Sequence, residues 1–329
     1  MELAILKKSK AVESGATQKI LAFGSLILLL IIFSAASSNF FRFDNLVAIM
    51  LSTAVIGVLA LGSTFVIITG GIDLAVGTVM TFSAVMTGVL ITFWHTWVIF
   101  GVAGGIATGA FCGIVSGVLI AKLKIPPFIA TLAMMMVTKG LSLVVSGAKP
   151  IYFNDTPIFS KISMGNISAS IIPGFEIPNA ILLFFGAAIF ASIILSKTII
   201  GRFNFAIGSN EEATRLSGIS VDKWKIIIYT ITGAFSGLAG VMMASRLNSA
   251  QPALGAGYEL DAIAAVIIGG TSLSGGKGSI LGTVIGALIM SVLINGLRIL
   301  SVKQEWQTVI TGAVVIMAVY VDIMRRRGK

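Results

Sequence analysis

The chain has 329 residues, of which 56% are hydrophobic and only 11% charged, and it carries a formal charge of +10. Soluble globular domains contain about 25% charged residues, so the composition excludes a soluble fold and describes an integral membrane protein. One cysteine (Cys112) and one histidine (His95) exclude an internal disulfide, a histidine-based metal cluster and a conventional catalytic triad.

The N-terminal stretch "MELAILKKSKAVESGATQK" is too polar for a secretory signal and reads as a cytoplasmic tail, 1–19. A bilayer-spanning helix takes ~20 mostly apolar residues. The apolar runs predict ten such helices, at about 20–37, 46–69, 76–94, 97–121, 126–146, 178–197, 225–245, 258–269, 278–298 and 305–324. The expected fold is therefore a single all-α transmembrane domain over 1–329, with some helices short or broken. The eighth run is the weakest, because only "AIAAVII" is strongly apolar and Glu259 and Asp261 mark its start. A short, broken or re-entrant helix is expected there, of the kind tolerated where protein or water lines it.

Charge sets the expected orientation. With a cytoplasmic N-terminus and alternating spans, the inner side receives "KKSK", Lys122 and Lys124, and the loop 198–224 with Arg202, Arg215 and Lys223 flanked by Lys197. The tail 325–329, "RRRGK", falls on the same side. The outer loop 147–177 holds only Lys149 and Lys161. This is the positive-inside distribution, and it accounts for the net charge without any basic soluble domain for nucleic acid. His95, between Trp94 and Trp97, reads as an interfacial loop residue. The small residues of 101–117 and 233–240 read as close helix packing, with a subunit interface or a hinged helix as the other reading.

The stretch "GGTSLSGGKGSILG" (269–282) imitates a phosphate-binding loop but fails the pattern. Thr271 stands at the first glycine position and Gly278 at the hydroxyl position. A second glycine turn, "GGIDLAVG" (70–77), matches it when Gly70 and Gly71 are paired with Gly269 and Gly270, Leu74 with Leu273, and Gly77 with Gly276. Each copy ends one apolar run and opens another. Glycine-interrupted segments at matching places mark the repeats of transporters; chance similarity between glycine-rich turns is the other reading. Six spans separate the copies, which makes them parallel as counted, although inversion is left open. Asp73, inside the first copy, is either solvated, a cap on the following helix, or a gating or solute-contacting group. Lys139 is the other ionisable residue at depth, and its stem can carry the ammonium toward the outer interface.

The loop 198–224 is polar yet organised. Ser209 and Glu212 form a capping box, Gly218 suits the left-handed helix end, and a helix of about two turns is expected over 210–217. Glu211 and Glu212 come first and Arg215 late, as the helix dipole favours. An isolated helix so short is unstable in water, so the membrane domain or a partner must hold it.

"GSNEEATRLSGI", "NSAQP" (248–252), "GYELDAIAAVIIGGTSLSGGKGS" (257–279), "TFVIITGGIDLAVGTVM" (64–80) and "PPFIATLAMMM" (126–136) together resemble the permease subunits of ribose-type sugar ABC importers. The likeness runs over nearly the whole chain and is poorest in the outer loop. It implies an inner-membrane permease without ATPase activity, a second permease copy, and a separate ATP-binding subunit. It also implies a periplasmic or lipid-anchored sugar-binding protein. Carried over by position, Asn210, Glu211, Glu212, Arg215 and Gly218 are the coupling helix. The glycine turns are Gly70, Gly71, Asp73 and Gly77, and Gly269, Gly270 and Gly276. No cofactor or metal is implied. Ser52, Thr53, Ser63, Thr64 and Asn295 are candidates for a path suited to a neutral sugar. The rival reading is an ion-coupled secondary transporter, which usually places ionisable groups at mid-membrane. A membrane enzyme lacks a catalytic cluster.

Overall fold

The computed structural model describes residues 20–168 and 176–327. The tail 1–19 with its "KKSK", residues 169–175 of the outer loop, and 328–329 lie outside the described residues. The described chain is predominantly helical. Its helices are α1 (Ile20–Ala36), α2 (Phe43–Ile68), α3 (Val76–Gly88), α4 (Val98–Ala121), α5 (Pro127–Ser146), α6 (Pro157–Met164) and α7 (Asn179–Lys197). They continue as α8 (Ile199–Ser209), α9 (Glu211–Leu216), α10 (Val221–Leu247), α11 (Tyr258–Ile268), α12 (Ile280–Ile299) and α13 (Gln304–Arg327). A π-helical turn, Val89–Phe93, extends α3. Two-residue strands β1 (Ile151–Tyr152) and β2 (Ser249–Ala250) pair antiparallel.

Seven helices among the described residues are long and apolar enough to cross a bilayer: α2, α3 with its extension, α4, α5, α7, α10 and α12. The other three expected runs are also helices. Of these, α1 is a shorter apolar helix, and α11 has only 11 residues.

Close helix approach organises the bundle. The most extensive packing is between α4 and α10. A Cβ on Gly109 would lie 2.7 Å from the Gly237 amide nitrogen, and one on Gly117 would lie 2.8 Å from the Ile226 Cα. Residue numbers rise along α4 as they fall along α10, so the two are antiparallel. Gly109, Gly113, Gly233 and Gly237 therefore pack between these two helices within one subunit, while Gly101, Gly104 and Gly240 meet α3 and its π-helical extension.

Along α2, Asn295 Nδ2 donates to Asn45 Oδ1 (3.0 Å), and the Thr64 and Thr283 hydroxyls meet at 2.7 Å. Hence α2 and α12 are antiparallel. Helix α11 is antiparallel to α12 as well, because Gly269 abuts Gly282 and Gly286 abuts Ala265. The main core gathers α2, α7, α10, α11 and α12 around Phe65, Phe184, Tyr229 and Met290. Most of α2 is buried, whereas α4 and α5 are largely exposed.

At one end of the bundle, Ser245 ties α6 to α10. Its hydroxyl donates to the Phe159 carbonyl (2.7 Å) and accepts from the Ser163 amide (3.0 Å). The β1–β2 ribbon lies at this end. Exposed Trp94 and Trp97 flank His95, whose φ is 51°, as suits a turn residue beside an interfacial aromatic pair. At the opposite end, Lys124 Nζ reaches Asp222 Oδ1 at 2.8 Å, placing the α4–α5 connection beside the loop that carries α9.

Candidate functional site

The helix α9 begins one residue later than the capping-box reading proposes. Asn210, not Ser209, is the cap: its Oδ1 accepts from the Ala213 amide at 2.9 Å. Ser209 is the last residue of α8. An Asx side chain at the N-cap reaches the N3 amide as a serine would, and Asn210 adopts the required extended backbone (φ −161°, ψ 104°). The far end agrees with expectation. Gly218 has φ +82°, with the Ile219 amide donating back to Thr214, a left-handed helix stop that glycine takes without steric cost.

Three ion pairs hold this short helix and a fourth extends the network; together they are the ion pairs among the residues whose side chains the structure describes. Glu211 pairs with Lys225 (2.7 Å) and Arg215 (3.3 Å), and Asp222 pairs with Arg215 (3.3 Å) and Lys124 (2.8 Å). Exposed pairs are individually worth ~0–1 kcal/mol, but this network joins α9 to α10 and to the α4–α5 connection. Partial burial raises the Glu211 pKa, while Lys225 and then Arg215 more than offset that, leaving it below the usual carboxylate value. The helix is thus held by its own subunit. One face stays free: Glu212 and Ala213 are exposed, and Leu216 is 83% exposed. It is a large apolar side chain that its own fold leaves uncovered.

The glycine turns share one geometry, in a register one residue away from the sequence pairing. After α2, the Gly70 and Gly71 amides donate to Ile67 and Val66. After α11, the Gly270 and Thr271 amides donate to Ile267 and Val266. Gly70 (φ +80°) and Gly270 (φ +91°) occupy the same left-handed position, so Gly70 corresponds to Gly270 rather than Gly269. Residues "VII" at 66–68 and 266–268 then align as well.

The two turns also touch. The Gly276 amide donates to the Ile68 carbonyl (2.9 Å), and a Cβ on Gly275 would meet the Gly70 nitrogen at 2.9 Å and the Gly208 carbonyl at 2.7 Å. Gly208 belongs to α8, which leads directly into α9, and a Cβ there would lie 2.6 Å from the Gly276 nitrogen. One backbone junction therefore contains both glycine turns and the stem of the short helix. Sequence reasoning missed Gly208, Gly275 and the ion-pair partners Lys124, Asp222 and Lys225. Only the positive φ of Gly275 and the contacts across the chain distinguish them from ordinary loop residues.

Asp73 is not solvated: it is 7% exposed and its Oδ1 accepts from the Ala75 amide (2.9 Å). Ala75, rather than Asp73, precedes the first turn of α3, which has no side-chain cap. The adjacent Leu74 amide donates to Thr131 Oγ1 (3.2 Å), and the Tyr229 hydroxyl lies 2.7 Å from where a Gly71 Cβ would stand. Gly77 fits tightly against the loop before α11, a Cβ there meeting Glu259 Oε2 at 2.6 Å. Of the candidate path residues, Thr53, Ser63, Thr64 and Asn295 are all buried in the bundle. The Thr53 and Thr64 hydroxyls donate to helix carbonyls four residues back.

Residues 45–319 match the family model described as branched-chain amino acid transport system / permease component, and the chain belongs to that family. It is 40% identical over 301 residues to the ribose import permease protein of Escherichia coli K12, covering 91% of each chain. It is 42% identical over 309 residues to the ribose import permease protein of Bacillus subtilis 168, covering 94% of each. With the L-arabinose transport system permease protein of Escherichia coli K12 it shares 36% identity over 311 residues, covering 93% of this chain and 92% of the relative. No solved structure matches the chain.

Proposed function

We propose that this protein is the permease subunit of an ATP-binding-cassette importer that translocates a monosaccharide, ribose or a close relative, across a bacterial inner membrane. The ribose and arabinose permeases among its relatives support the solute class. The junction of both glycine turns with α8 carries the mechanism. Motion delivered to α9 passes through rigid backbone contacts into the ends of α2 and α11 and the starts of α3 and α12.

In this reading α9 is the coupling helix and Leu216, Glu212 and Ala213 face a separate ATP-binding subunit. ATP hydrolysis resides in that subunit. Closing it would tilt the bundle between two states, each stabilised by different contacts. A second copy of the permease completes the path, and a periplasmic or lipid-anchored binding protein delivers sugar at the β1–β2 end. The ten helices cross ten times, α11 as a short segment, within a single domain over 1–329. Both termini are cytoplasmic, since Lys122, Lys124, Arg202, Arg215 and Lys223 lie on the connections at the α9 end. The two glycine turns are copies of one unit, parallel because α2 and α11 are each antiparallel to α12.

The test is Leu216→Asp in the permease reconstituted with its ATP-binding subunit and sugar-binding protein. Stimulated ATPase activity is expected to fall at least roughly ten-fold, as for loss of an anchor of ~1.4 kcal/mol or more, with the melting temperature of the permease alone unchanged. Unaltered stimulation would refute the assignment of α9. A Glu211/Arg215 charge exchange is less informative, because it also breaks the pairs with Lys225 and Asp222.

A further inference from the structure

Lys139 poses a physical problem that the importer reading does not by itself resolve. It lies seven residues, about 10 Å, before the end of α5 (Pro127–Ser146) and is exposed. Among the described residues it takes part in none of the four ion pairs. An unpaired ammonium facing lipid at that depth is strongly disfavoured, and such groups almost always face a water-filled cavity or a partner.

A small cleft lies beside this side chain. Lys139 lines it with Thr78 and Thr81 of α3 and with Pro252, Gly255 and Ala256 of the segment before α11. The neighbouring Thr138 donates to Thr78 Oγ1 at 2.8 Å, which pins α5 to α3 and sets Lys139 over the cleft. Close contact of Gly77 with Gly255 forms the floor. A second small cleft, also lined by Thr81, includes Ser249 and Gln251 beside the β1–β2 ribbon.

We propose that this groove is a station on the solute's route, where Lys139 donates to, and the Thr78 and Thr81 oxygens accept from, the hydroxyls of a neutral polyhydroxylated solute. The proposal rests on the importer reading and names the residues that meet its cargo. Sugar hydroxyls both donate and accept. The groove offers an ammonium that donates three hydrogen bonds, threonine oxygens that accept, and the side-chain oxygen of Gln251 as a further acceptor. Glu259, on the next helix, is turned to the Gly257 amide, which it meets at 3.1 Å with both carboxylate oxygens, so no carboxylate is drawn to the ammonium. The Thr78 and Thr81 hydroxyls donate to the Ala75 and Gly77 carbonyls (3.1 and 3.3 Å), so toward a solute their oxygens serve as acceptors.

The experiment uses the full transporter in membranes, in a Cys112→Ala background that removes the single thiol. Lys139→Cys is exposed to a membrane-impermeant charged thiol reagent and compared with Val137→Cys, which lies on the opposite side of α5 and is 53% exposed. Lys139→Cys is expected to react at least ten-fold faster, and equal or slower reaction overturns the proposal. In parallel, Lys139→Met is expected to lower sugar uptake roughly ten-fold or more, the scale of a lost charged hydrogen bond, with stimulated ATPase retained and Lys139→Arg restoring uptake. Full uptake by Lys139→Met also overturns it. Absence of sugar-stimulated ATPase in the parent complex would instead refute the importer reading, whereas thiol accessibility reports on the groove alone.

Discussion

Replacing Gly109 with alanine tests whether glycine contacts set the separation of α4 and α10. The added Cβ would stand 2.7 Å from the Gly237 nitrogen and 2.8 Å from its Cα, and would press on the Gly233 carbonyl. Carbon atoms settle at about 3.5–4.0 Å, so the helices must part by about 1 Å. The obstacle is backbone, which cannot rotate out of the way. Overpacking of this kind typically costs ~1–3 kcal/mol, against a gain of ~0.5–1 kcal/mol from placing alanine rather than glycine in a helix. A net loss of ~1–2 kcal/mol is expected.

Gly186→Ala in α7 is the control, since nothing lies within 4 Å of its Cβ position; only the helix gain applies there. The two variants should differ by ~2 kcal/mol, or about 4–8 °C at ~2–4 °C per kcal/mol. Thermal melts of purified protein in one detergent, followed by tryptophan fluorescence, measure this. Gly109→Ala melting at or above Gly186→Ala would refute the packing argument.

Three further outcomes follow from the same geometry. Asn210→Ala removes the side-chain cap of α9 and should weaken that helix by ~1 kcal/mol, seen as faster amide exchange over 211–216 with the bundle unchanged. Ser245→Ala removes the hydroxyl that ties the Phe159 carbonyl and the Ser163 amide of α6 to α10, at ~0.5–1.5 kcal/mol; limited proteolysis should open α6 first. Because the Glu211 pKa is depressed in the fold, its stabilising contribution is complete above the ordinary glutamate value of about 4.3 and is lost as pH falls through the lower folded value. Proteolysis of the α9 loop should therefore rise in acid, and Lys225→Met should blunt that rise.

Much of this protein was legible along the chain. The apolar runs located its helices, because in a bilayer the backbone must be satisfied within each segment and the lipid-compatible stretches declare themselves by length. The weak eighth run was recognised from Glu259 and Asp261, and α11 is indeed short. Gly218 was readable as a helix stop, since a left-handed residue there favours glycine. Local rules also misplaced details. Ser209 and Asn210 are both good caps, and only the continuation of α8 through Ser209 leaves the role to Asn210. Likewise "GG" and "GG" align by eye, but the hydrogen bonds at each helix end set Gly70 against Gly270.

By itself, then, the sequence determined the membrane-embedded helical class, the polar loop carrying α9, and the places where glycine interrupts the apolar runs. These are properties of single segments and their solvent. Tertiary structure alone decided which segments meet: the contact of Gly208 with both turns, the ion pairs drawing α9 onto α10, and the groove beneath Lys139. Each joins residues tens to hundreds of positions apart, and their juxtaposition depends on how closely glycine surfaces let neighbouring helices approach, which no local pattern encodes.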